Sequence, residues 1–113
     1  SLLMKARRYR EAEARSSDAF RRYAELAAKD TSNAEHRLFM ARSSRQAGEA
    51  CQSLAARSGS AAERSQWRSK AGDWFERSLA LYRSLGKAGA LMGADAAAPE
   101  EVSRLLESVR RAT

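Results

Sequence analysis

Between two turn signals, Ser58-Gly59-Ser60 and Gly86 to Gly89, one apolar stripe runs unbroken at helical spacing. It comprises Trp67, Ala71, Trp74, Phe75, Ser78, Leu79, Tyr82 and Leu85. Side chains that recur every three to four residues share a helix face, whereas strand faces alternate every second residue. The segment therefore predicts one long helix. Ser60 and Glu63 have capping-box spacing at its start. Gly86 and Gly89 supply the left-handed stop at its end.

Two earlier stretches have the same period. From about Leu2 to Ala28, Tyr9, Ala12, Ser16, Ala19, Phe20, Tyr23, Leu26 and Ala27 share a face. Beside it lies a charged ladder of Arg8, Glu11, Arg15, Asp18, Arg22, Glu25 and Lys29. Each acid stands four residues before a base, an order worth about 0.2–0.5 kcal/mol per pair and typical of a solvated face. Asp30-Thr31-Ser32-Asn33 interrupts the pattern, with Ser32 or Asn33 as the N-cap of a second helix reaching about Arg57. That helix shows a face of small residues: Leu38, Ala41, Ser44, Gly48, Cys51 and Leu54. Glycine inside a helix costs about 1 kcal/mol relative to alanine, so Gly48 marks a close contact or a break. After a small-residue connector, 90–98, Pro99 opens a short helix. Glu100 and Glu101 lie in its first turn and Arg110 and Arg111 in its last, matching the helix dipole. Its stripe of Val102, Leu105, Leu106 and Val109 is expected to dock on the third helix.

With few β-branched residues and one proline, the expectation is a single all-α domain over 1–113. Three long helices would form antiparallel hairpins, and a short C-terminal helix would cap them. Tyr23, Gly48, Trp67, Ala71, Trp74, Phe75, Leu79 and Tyr82 are the expected structural core. The first residues already lie in a helical pattern with no evident cap, which suggests a C-terminal fragment of a longer protein.

Several function classes drop out. Cys51 and His36 are the only residues of their kinds, which excludes a disulfide framework, a cysteine zinc site and a multi-histidine metal centre. No apolar run approaches the roughly 20 residues needed to cross a bilayer, and no signal-peptide pattern is present. Gly86-Lys87-Ala88-Gly89 lacks the phosphate-loop spacing. His36 reads as a surface histidine and Cys51 as a buried, inert thiol. No catalytic, cofactor-binding or metal-ligating residue is expected.

The spacing of Gly48 in the second helix and of Ala71, Phe75 and Ser78 in the third resembles a tetratricopeptide repeat. That repeat would be about eleven residues longer than the usual 34. Ala19, Tyr23 and Leu26 repeat the spacing in the first helix, and Thr31 stands where the pattern ends in proline. The segment 26–35 is similar to the linker between such repeats in bacterial proteins. Residues 71–85, Gly89-Ala90-Leu91, Asp95-Ala96 and 99–102 resemble the C-terminal repeat region of bacterial serine/threonine protein kinases and related signalling proteins. The likeness spans about residues 20–110. It implies a cytoplasmic, non-catalytic module for protein–protein interaction or scaffolding. No kinase motif lies in the chain, so no kinase residue is carried over.

Such a module binds a protein or peptide in a groove. Arg37, Arg42 and Arg45 on the second helix are the candidate contacts to an acidic partner. Trp67 and Trp74 read as core, with a partly open aromatic groove as the alternative. A weak homodimer is also expected, a second copy covering the open edge of the first helix's stripe. The net charge of +7 admits nucleic acid or another polyanion as a second partner class, ranked behind protein because most arginines alternate with acids. No membrane partner is expected.

Overall fold

The computed structural model describes residues 1–112, the side chain of Leu2 excepted. It is all-helical: α1 (Leu2–Lys29), α2 (Ala34–Arg57), α3 (Ala61–Lys87) and α4 (Ala98–Arg111). No strand occurs among the described residues. The caps are local and obey the sequence. Asn33 Oδ1 accepts from the Glu35 amide at 2.9 Å, and Ser60 Oγ accepts from the Glu63 amide at 3.1 Å. α1 also has a cap, contrary to expectation: Ser1 Oγ accepts from the Met4 amide at 3.3 Å. Beyond α3, Gly89 takes φ +70° and the Ala90 amide returns to the Leu85 carbonyl at 2.9 Å. The connector is more regular than its composition suggests, since Gly93–Ala97 winds into a short 3-10 turn.

Successive helices run antiparallel. Arg57 lies over Tyr9 while Tyr23 stacks on Phe39, so α1 and α2 are paired end to end in opposite directions. Phe75 faces Gly48, and Ser78 Oγ donates to the Ala41 carbonyl at 2.8 Å, which reverses α3 on α2. α4 returns along α3, held by Arg110–Glu76 and by Arg68 donating to the Ala112 carbonyl at 2.8 Å.

The sealed core lies among α2, α3 and α4. Ala41, Cys51, Ala71, Phe75, Leu79, Tyr82, Leu85 and Val102 are buried there, and Gly48 with them. The small face of α2 lets α3 approach. The hydroxyls buried with it are satisfied on the backbone, Ser44 on the Met40 and Ala41 carbonyls and Ser78 on that of Ala41. α1 is different: Ser16 alone among its described side chains is buried.

Three expected core residues lie at the margin of the core, with Trp67 and Trp74 packed against the buried cluster. Tyr23, Trp67 and Trp74 are half-buried. Their stripe does face inward, but α1 covers it incompletely. Phe20 reaches Trp74 only edge-on, with ring centroids 5.4 Å apart, and Tyr23 is covered by Phe39 on one side at 4.9 Å. Periodicity identifies the face and leaves open how much of it a neighbour seals.

Candidate functional site

The incomplete contact between α1 and α3 leaves a groove. At one end a cleft of about 390 Å³ opens between the first turns of α1, the end of α2 and the start of α3. Leu3, Ala6, Leu54 and Trp67 give it apolar walls, and Arg10, Arg57 and Lys70 rim it. Farther along, Glu13, Lys70, Asp73, Trp74 and Arg77 line a shallower hollow. Lys70 lines both and stands between them.

Cations in this groove sit on aromatic faces. Lys70 Nζ is 4.9 Å from the Trp67 ring, Arg77 is 4.8 Å from Trp74, and Arg57 is 4.7 Å from Tyr9. Such placements stabilise by about 0.5–1 kcal/mol at exposed sites.

The arginines proposed on α2 are placed otherwise. Arg42 forms a two-pronged pair with Asp95, its Nε donating to Oδ1 at 3.2 Å. This hydrogen bond raises the pKa of the guanidinium. Arg45 reaches Glu101 at 3.2 Å and Glu49 at 3.8 Å. Both therefore latch the 3-10 turn and α4 onto α2, an intramolecular role beside the partner contacts expected of them. Carboxylates 53 and 56 residues away in the chain are invisible to local spacing. Arg37 is half-buried with its Nε unpartnered among the described residues, as is Nδ1 of neighbouring His36. His36 is thus tucked against the α1–α2 turn, not on an open surface.

Cys51 is sealed in the core, and burial pushes its thiol up to about 12. A thiol held neutral this firmly is a poor nucleophile. Among the described residues, no group of three or more His, Cys, Asp or Glu side chains could hold a metal ion. No helix there is long and apolar enough to cross a membrane.

Sequence reasoning missed two features. Phe39 supplies the stacking partner of Tyr23. Its signal was an aromatic residue just off the small-residue stripe, in the second turn of α2 after the break that folds α2 back on α1. The cation cluster of the groove draws on Arg10, Arg57 and Lys70, which meet only once the helices fold back. Searches against protein-family models, curated proteins and solved structures find no match for this chain.

Proposed function

We propose that this chain is a non-catalytic helical-repeat module of tetratricopeptide type that binds or assembles proteins. The observation that carries the reading is the α1–α3 groove, where half-buried Trp67 and Trp74 lie beneath Lys70 and Arg77. Interface anchors are typically aromatic residues and arginine, partly solvated before binding and desolvated after it. Neighbour-on-neighbour stacking of antiparallel helices is the architecture such repeats use. The setting that accompanies this reading is cytoplasmic, in the C-terminal part of a bacterial signalling protein.

The test is selection from a displayed random-peptide library against the intact chain. Enriched peptides are expected to lose binding to a Lys70→Glu variant and to keep it with Arg104→Glu, on the exposed side of α4. Enriched peptides that ignore Lys70, or no enrichment at all, would reject the groove.

A second reading, binding of nucleic acid or another polyanion, is favoured by the concentration of cations at the cleft end. Phosphate binding weakens steeply with salt. A shallow salt dependence together with loss on removing Trp67 favours the groove.

A further inference from the structure

Residues 1–15 and 52–70 hold nine lysines and arginines against three acids, and so carry +6 of the chain's +7. Neither segment is a basic block. Antiparallel packing of α1 on α2 sets them at the same end of the bundle, as the Arg57–Tyr9 contact records. The cleft opens there. Its rim holds Arg10, Arg57 and Lys70 against a single carboxylate, Glu63. None of these three cations is ion-paired among the described residues, whereas Arg7, Arg42, Arg45 and Arg104 each have a carboxylate partner. The walls are aliphatic apart from Trp67, and Leu3 is 81% exposed.

We propose that this cleft seats an acidic segment of a partner protein that carries an apolar anchor. The anchor enters between Leu3, Ala6, Leu54 and Trp67, and flanking carboxylates meet Arg10, Arg57 and Lys70. The proposal rests on the groove reading above and adds the chemistry of the partner. Charge complementarity supports it, because the local field attracts anions and steers their approach. The aliphatic walls select against nucleic acid. Single strands stack their bases on open aromatic faces, and Lys70 occupies the face of Trp67.

Fluorescence anisotropy with labelled synthetic peptides tests this. One probe is an amphipathic peptide of Glu and Leu. The second replaces Glu by Lys, the third replaces Leu by Ala, and a single-stranded oligodeoxynucleotide is the fourth. The Glu/Leu peptide is expected to bind at least tenfold more tightly than the other three. Arg10→Gln with Lys70→Gln should weaken it at least tenfold, and Arg104→Gln should leave it unchanged. Circular dichroism confirms that each variant is folded.

Equal binding of the Lys/Leu peptide, itself sensitive to Trp67→Phe, would overturn the acidic partner while the groove stands. Glu/Leu binding indifferent to Arg10 and Lys70 would overturn both. A tighter oligonucleotide, or an equally tight Glu/Ala peptide, would replace the apolar anchor with polyanion binding. Failure of every probe to bind would reject the proposal.

Discussion

Phe75 closes over the Cα of Gly48 so tightly that a Cβ built there would stand 2.6 Å from ring atom Cε1. Helix propensity alone favours Gly48→Ala by about 1 kcal/mol. Overpacking a filled core costs about 1–3 kcal/mol, and the ring cannot retreat because Phe75 is fully buried. Gly48→Ala should therefore lower stability by about 1 kcal/mol in urea unfolding. Adding Phe75→Leu should cost less in that background than in the wild type. A stabilised Gly48→Ala variant would show that α2 and α3 are farther apart.

Phe75 and Trp74 should rank in a definite order. Removing a fully buried Phe costs about 3–5 kcal/mol, and Phe75→Ala should fall in that range. Trp74 is half-buried, so Trp74→Ala should cost only about 2 kcal/mol by the same scale. Denaturant midpoints of the two variants decide it, and the reverse order would mean that the indole is sealed.

The Arg42–Asp95 pair should couple by about 1 kcal/mol in a double-mutant cycle of Arg42→Ala and Asp95→Ala. Both side chains retain some solvent access, and partly exposed pairs reach about that value. Asp95→Ala should also speed amide exchange in residues 93–97. Additive single mutants with unchanged exchange would remove the latch.

Stability should fall in alkali. The folded Cys51 thiol keeps its proton up to about 12, against 9.0 when free, because burial penalises the thiolate. The group favours the folded state fully below pH 9, and that contribution is lost as pH rises from about 9 toward 12. Burial, followed by the Asp95 carboxylate, raises Tyr82 in the same direction. Cys51→Ala should flatten the decline of the urea midpoint over this interval. At pH 8 the native thiol should react with a disulfide reagent only on unfolding, and rapid reaction would show that it is exposed.

Sedimentation should give a constant monomer mass up to hundreds of micromolar. A dimer is expected only if the apolar stripe of α1 lies open. Most of that stripe is half-buried toward α2 and α3, with Leu26 43% exposed, and the outer face presents exposed Arg8, Glu11, Arg15, Asp18 and Arg22. A mass rising toward twice the monomer would show that Leu3, Met4 or another exposed apolar residue recruits a second copy.

Helix limits were legible because caps are local. Asn33, Ser60 and Gly89 each act within a few residues of themselves. Gly48 was legible as a close contact because an interior glycine needs a reason. The partial cover of Trp67 and Trp74 was not, since a stripe's spacing carries no record of the width of the helix laid against it. The roles of Arg42 and Arg45 were hidden for a related cause. No acid lies between Glu35 and Glu49, and only the return of the 3-10 turn and α4 supplies Asp95 and Glu101. The charged end of the bundle was hidden because its two halves are separated in sequence by half of α1 and most of α2.

That α1 buries so little has a thermodynamic consequence. Elements with few sealed contacts open at lower free energy than the rest of a domain, so amide exchange is expected to be faster in α1, with Ser16 alone buried among its described side chains, than in α2 and α3. α1 is also one wall of the groove. The occupant proposed above, if it spans α1 and α3, would bind only the closed form, with an apparent affinity scaled by the closed fraction. Linkage would make the relation mutual: the proposed occupant would clasp α1 shut, and a change that loosens α1 would weaken binding without touching the occupant.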